Sequence, residues 1–149
     1  QWGQALPAGQ VQGIALHESF GSIVAQVARV SLQGGAVRVH AVFCAIDCGT
    51  VVNPAIVAQQ MEGAVVFALS ASLWGGVDIV QGEVQQRNFH QHQVLGLAQA
   101  PQVHTYILPS ERTPGGVGEP GVPPLAPAVA NALFALNGQR LRSLPLKVA

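Results

Sequence analysis

Two stretches rich in branched and aromatic residues, 23–32 and 37–46, are separated by Gln33-Gly34-Gly35. That punctuation between two strand-like runs predicts a β-hairpin. Neither run alternates cleanly between apolar and polar, so both faces are expected to be covered, as in a sheet sandwiched between layers that include neighbours outside this chain. Asn53-Pro54 then marks a helix start, with Asn as N-cap and Pro at the first helical position. Val57, Met61, Ala64, Val65, Ala68, Leu69 and Ser72-Leu73 follow at helical spacing up to Gly75-Gly76, which predicts an amphipathic helix. Residues 77–80 and 83–86, around Gln81-Gly82, form a second, smaller hairpin pattern. Residues 87–102 show no period, 103–108 alternate as a short strand, and 126–136 read as a helix closed by Asn137-Gly138. The tail through Leu141, Leu144 and Leu146 is expected to be an extended edge segment. With neither repeat nor linker, the chain is expected to be one α+β domain, 1–149, of mixed β-hairpins and two main helices.

Composition narrows the picture. The 149 residues are 49% apolar, enough for one core, and only 9% charged, against roughly a quarter in an average soluble domain. Part of the surface is therefore expected to meet other protein. Seven basic and seven acidic residues lie scattered, without the cationic patch that a nucleic-acid partner requires. The longest strongly apolar run, 64–74, is interrupted by serines and falls short of the ~20 residues of a bilayer crossing, so no membrane span is expected. Gln1-Trp2-Gly3-Gln4 carries no initiator Met or export signal and reads as a cut end. Two cysteines cannot supply the four thiolates of an ordinary [2Fe-2S] centre, which places any such cluster on another chain or segment. On one strand Cys44 and Cys48 would stand ~13 Å apart, too far for a disulfide, and they read as buried, unreactive thiols.

The candidate chemistry lies in Gly115-Gly116-Val117-Gly118-Glu119-Pro120-Gly121, a lone carboxylate inside a stretch of Gly, Pro and small apolar residues running from Pro114 to Pro127. So many glycines are entropically costly to order, which implies close backbone approach to something. Pro120 disfavours α geometry at Glu119, and amides near a helix start could cradle an anionic or phosphate-bearing group. The plainer alternative makes the loop a structural turn and Glu119 a carboxylate interacting with the following helix dipole. Gln60 could likewise only satisfy a backbone group, Glu62 belong to a local ion pair or hydrogen bond, and Asn53 serve as a cap. His90 and His92 would share a strand face and could bind a metal. Without a third ligand nearby they read as loop or interface histidines, and no metal-ligand set is assigned. His17, His40 and His104 have no companion motif.

Several blocks together resemble a known family. Gly116-Val117-Gly118-Glu119-Pro120 with Pro123-Pro124-Leu125-Ala126-Pro127-Ala128 and Ala130-Asn131-Ala132, Asp47-Cys48-Gly49, Asn53-Pro54, Gln60-Met61-Glu62-Gly63-Ala64 and the terminal Arg140-Leu141-Arg142-Ser143-Leu144-Pro145-Leu146 are similar, in order and spacing, to xanthine oxidase-family molybdenum hydroxylases. His17-Glu18-Ser19-Phe20-Gly21-Ser22 and Asn88-Phe89-His90 narrow the likeness to the large subunit of isoquinoline 1-oxidoreductase and to membrane-bound aldehyde dehydrogenases. The resemblance implies the C-terminal part of a molybdopterin-binding subunit that hydroxylates aldehydes or N-heterocycles with water-derived oxygen. It implies Glu119 as general base and Gln60, Gly116, Val117 and Gly118 at the cofactor, which in bacteria is often molybdopterin cytosine dinucleotide. The implied partners are the upstream remainder of the subunit, a small subunit bearing [2Fe-2S] clusters and a cytochrome c acceptor, in a periplasmic or membrane-associated setting. The chain alone is expected to hold no cofactor, to be inactive and to self-associate. The rival reading is a non-catalytic domain whose glycine-rich loop recognises a ligand or partner.

Overall fold

The computed structural model describes residues 2–148. Strands β1 (Val11–Ser19), β2 (Ser22–Gln33) and β3 (Ala36–Asp47) form an antiparallel meander, and β6 (Gln102–Ile107) joins it parallel to β3, giving the order β1-β2-β3-β6. The parallel connection runs through helix α1 (Pro54–Leu73) and the two-residue strands β4 (Ile79–Val80) and β5 (Glu83–Val84). Helix α2 (Leu125–Asn137) closes the unit. The expected hairpins, both helices and the strand near 103–108 are all present, so the α+β expectation holds.

Local chemistry accounts for most of these elements. Gly34 and Gly35 both have positive φ (59° and 82°), as a two-residue turn matched to strand twist requires. Asn53 Oδ1 accepts from the amides of Ala55 and Ile56 at 3.1 and 3.3 Å, and Gly138 ends α2 in the left-handed region with φ 73°. Strand β1 is the element that hydropathy alone did not mark. It is largely polar or exposed, and Gly13 interrupts it because a Cβ there would stand 2.2 Å from both the Ala128 carbonyl oxygen and the Ala132 nitrogen. Glycine lets the backbone of α2 lie directly on the strand.

Both helices cover one face of the sheet, α2 over β1 and β2, α1 beside β3 and β6. Ser22, Val24, Gln26, Ala28 and Val30 face them at period two, all fully buried, and Val42, Cys44 and Ile46 continue that layer on β3. Val57, Met61, Val65 and Leu69 of α1 and Leu125, Val129 and Leu133 of α2 complete the core. The opposite face is not covered by the described residues of this chain. There Ile14 and Leu16 are exposed, Tyr106 is half exposed, and Trp2, Ala25, Val27, Phe43 and Ala45 join Ile14 and Tyr106 around a shallow apolar hollow of about 220 Å³.

Helix α1 spans the expected 54–73, and its 20 residues would by length and composition suffice to cross a bilayer, which the 64–74 run alone did not suggest. Its buried positions, Val57 to Ser72 at helical spacing, pack the core, so within this unit it is a core helix. The tail forms no strand among the described residues; Leu146 is instead buried, and its amide donates to the Ser72 carbonyl at 2.7 Å.

Candidate functional site

Because β3 and β6 run parallel, both end at the same edge of the sheet, where β2 begins. Residues 48–53 and 108–124 gather there, beyond the carboxyl ends of the parallel pair, a position where open α/β sheets commonly bind ligands. The glycine-rich segment is tied down along its length. Leu108 donates to the Ile46 carbonyl at 2.8 Å, and both the amide and Oγ1 of Thr50 donate to the Arg112 carbonyl at 2.9 and 3.0 Å. Arg112 Nη2 meets Asp47 Oδ2 at 2.9 Å; this guanidinium, helped by the Gly49 amide, holds the Asp47 carboxyl below the ordinary range. Gly115 donates to the Cys48 carbonyl at 2.9 Å and Gly116 to the Phe20 carbonyl at 2.8 Å. Phe20 itself has φ 54°, an uncommon backbone state for an aromatic residue, tolerated where the surroundings fix it.

Two side chains of β2 reach the segment from inside the core. Ser22 Oγ donates to the Gly116 carbonyl at 2.7 Å, and Gln26 Nε2 donates to the Gly121 carbonyl at 2.8 Å. Pro120 and Gly121 are buried, and a Cβ on Gly121 would stand 2.8 Å from Ala64 Cβ and 3.1 Å from Met61 Sδ. The segment thus crosses the middle of α1. Glu119 lies between the two anchors with its side chain exposed and its carbonyl accepting the Val122 amide at 2.9 Å.

The sequence-predicted residues fall as follows. Gln60 is exposed on α1, one residue before the Met61 that packs on Gly121. Gly116 and Gly118 are exposed, and Val117 is half-buried against the core. No acidic residue lies in the first turn of α2, which removes the helix-dipole reading of Glu119, since that effect fades within one turn. The first turn of α2 offers no amides to cradle an anion, since Pro124 and Leu125 are buried and the Leu125 amide turns toward the Val122 carbonyl. Along 112–124 the amides of Thr113, Val117, Gly118, Glu119 and Gly121 meet no acceptor among the described residues, and of these the three consecutive ones, Val117 to Glu119, lie at exposed or half-buried positions. Glu62 is exposed and makes no ion pair or hydrogen bond among the described residues, against the local pairing expected for it.

His90 belongs to a short 3-10 turn and His92 follows it, both exposed, and no cluster able to hold a metal occurs among the described residues. The two thiols are free and buried as expected; burial pushes Cys44 up to about 12 and raises Cys48 as well. Ser22 and Gln26 were missed by the sequence reading. Their signal was available: both are polar residues in the same parity as Val24, Ala28 and Val30, on an otherwise apolar face of the strand. The larger clefts lie elsewhere. One of about 580 Å³ runs from Arg38 and His40 to Trp74 and Gln99, and one of about 700 Å³ follows the outer side of α1 from Gln59 to Leu95. In the first, burial, then Arg38 and Arg29, lower the pKa of His40, whose Nε2 lies 2.8 Å from Ser31 Oγ.

Comparison with known proteins fits this arrangement. Residues 8–101 match the family described as molybdopterin cofactor-binding domain. This chain belongs to that family. The molybdopterin-binding domain is 36% identical over 143 residues to "Isoquinoline 1-oxidoreductase subunit beta" of Brevundimonas diminuta, covering 95% of this chain and 18% of the relative. It is 37% identical over 147 residues to "Membrane-bound aldehyde dehydrogenase [pyrroloquinoline-quinone]" of Gluconacetobacter polyoxogenes, covering 99% of this chain and again 18% of the relative. The domain therefore spans under a fifth of the length of these relatives. Its fold recurs in quinoline 2-oxidoreductase from Pseudomonas putida 86, with a TM-score of 0.76 at 22% identity over 83% of this chain and 17% of that one. The resemblance inferred from the sequence blocks is borne out. The family match ends before the glycine-rich segment, so it covers Gln60 but not Glu119.

Residues at the 112–124 edge fit one wall of such a cofactor. Gly118 has nothing within 4 Å of where a Cβ would stand, the neighbouring amides are free, and a carboxylate stands beside them.

Proposed function

We propose that this chain is the C-terminal part of the cofactor-binding subunit of a molybdenum hydroxylase acting on aldehydes or N-heterocycles, with Glu119 as its general base. The observation that carries the proposal is an exposed carboxylate on a segment fixed on both sides of it, at Gly116 and Gly121, and flanked by free amides. When bound, a molybdopterin cofactor, in the cytosine dinucleotide form, supplies two-electron redox chemistry. The amides of Val117 and Gly118, with the exposed Gly116 surface, would hold it from the sheet edge, and the Gln60 side chain would reach it from α1. Glu119 takes a proton onto a carboxylate oxygen from the water-derived nucleophile. Anchoring the backbone on both sides of Glu119 narrows where that oxygen can stand and so lowers the cost of reaching the reactive arrangement. The remaining walls would belong to the rest of the subunit, [2Fe-2S] clusters on a partner chain would supply the electron acceptor, and the 149 residues alone bind no cofactor tightly and turn nothing over.

Glu119→Gln in the complete subunit tests the base. Glutamine keeps the shape but cannot accept the proton, so kcat is expected to fall about 10² to 10⁴-fold at unchanged molybdenum content; a kcat within tenfold of the parent contradicts the assignment. Elemental analysis separates molybdopterin from the quinone cofactor in one relative's name: about one molybdenum per subunit is expected, and its absence from an active enzyme counts against the reading. The rival, a non-catalytic ligand-binding domain, draws on the position of both larger clefts away from Glu119. It predicts unimpaired turnover in Glu119→Gln.

A further inference from the structure

Ser22 and Gln26 are the only two polar side chains that β2 sends into the helix-covered layer at full burial. They are four residues apart on one face, about 13 Å along the strand. Their acceptors, the carbonyls of Gly116 and Gly121, bracket Glu119. Five residues of chain reach at most roughly 17 Å, so the stretch between the two anchors has limited slack. Glu119 is therefore held by contacts neither of which it makes itself.

The Gln26 contact carries a mark of being kept for position. Gln26 Oε1 is buried with no hydrogen-bond partner among the described residues, opposite Cys44 across the β2–β3 ladder. A leucine of similar size would avoid that unpaired acceptor but would lose both the Nε2 bond to Gly121 and the contact of the Gln26 amide with the Cys44 thiol. Ser22 is packed as tightly: a Cβ on Gly115 would stand 2.5 Å from its Oγ.

We infer that Ser22 and Gln26 are positioning residues, a two-point clamp on β2 that fixes the backbone on either side of Glu119 and so sets the placement of its carboxylate. The inference rests on the proposed role of Glu119 for its catalytic consequence, but the clamp itself is measurable without it. Amide hydrogen exchange reads the bonds adjoining each anchor: the Gly116 amide beside Ser22, and the Val122 amide, paired with the Glu119 carbonyl, beside Gln26.

The test compares Ser22→Ala and Gln26→Leu with the parent. Ser22→Ala should speed exchange at Gly116, and Gln26→Leu at Val122, each about fivefold or more, with the β2–β3 ladder amides unchanged. In the complete enzyme both should lower kcat several-fold with KM little altered. Unchanged exchange at Gly116 and Val122 in folded variants overturns the clamp. Uniformly faster exchange across the sheet also overturns it, by making these residues core packing alone. Ser22→Ala, a small deletion at the strand start, keeps the test decisive if Gln26→Leu does not fold. Should Glu119→Gln keep its turnover while local exchange still responds, the base assignment fails and the clamp stands.

Discussion

Residues 77–101 and 112–124 both lie outside the four-stranded sheet and the two α-helices, yet they are held in opposite ways. The first is stitched mainly to itself. Gln86 bonds the backbone and side chain of Asp78, Arg87 pairs with Glu83, and Asn88 caps its own turn, while Phe89 and Leu97 are almost fully exposed. Its described links to distant parts of the chain are few, among them Leu95 to Ser70 and Arg38 to Ala98. The second segment, richer in glycine, bonds to Phe20, Ser22, Gln26, Cys48 and Thr50, all sixty or more residues away in sequence, and buries Pro120, Gly121 and Pro124. Glycine content does not measure looseness. Here it allows close approach to the scaffold, and the partners supply the order that the composition lacks.

Substituting one glycine in each segment gives the largest contrast. Gly115→Ala would force a Cβ to 2.5 Å from Ser22 Oγ and 2.7 Å from the Gly21 carbonyl oxygen; with backbone on one side it cannot relax cheaply, and a loss of about 2 to 3 kcal/mol is expected. Gly96→Ala meets only Gln99 Oε1 at 3.5 Å and should stay within about 0.5 kcal/mol of the parent. Urea midpoints at constant slope measure both. Equal effects would erase the distinction between the segments.

Acid should act on the second segment first. Asp47 is ionised with help from Arg112 and the Gly49 amide, and its folded pKa lies below the unfolded one. Its contribution is complete above the unfolded value near pH 4 and is lost as the pH falls through the lower folded value. Exchange at Thr50 and Gly115 should therefore quicken as the pH drops below about 4, after correction for intrinsic rates, and Asp47→Asn should remove that dependence. A pH response confined to residues 77–101 would contradict it. The smallest effect is expected at Arg87→Ala. The Glu83–Arg87 pair is well exposed and of the class worth roughly 0 to 1 kcal/mol, so thermal unfolding should hardly move.

How much was legible beforehand follows the same division. Hairpins, capped helices and the core face of α1 were readable because Asn53-Pro54, Gly34-Gly35, Asn137-Gly138 and helical spacing are local signals. Strand β1 was not, since its pairing comes from β2 and its contact with α2 depends on an absent side chain at Gly13. Glu119 stood out by sequence context, but the reason it is held did not: Ser22 and Gln26 lie about a hundred positions upstream, and only strand parity hinted that their side chains point inward. Around the hollow on the open sheet face, apolar residues imply burial without saying which chain provides it. If that hollow drives association of the isolated chain, light scattering should show dimers or larger species at high concentration, and a strictly monomeric mass would contradict it.

Hydrogen exchange on the unaltered chain compares the two segments most directly. Gly115, Gly116 and Val122 should exchange slowly, within about tenfold of the β2–β3 ladder amides, while the amides of His90, Gln93 and Val94 exchange at nearly unprotected rates. Comparable, fast exchange in both segments would mean that 112–124 is not held by β2 and the 48–50 turn, and that Glu119 has no fixed place at the sheet edge.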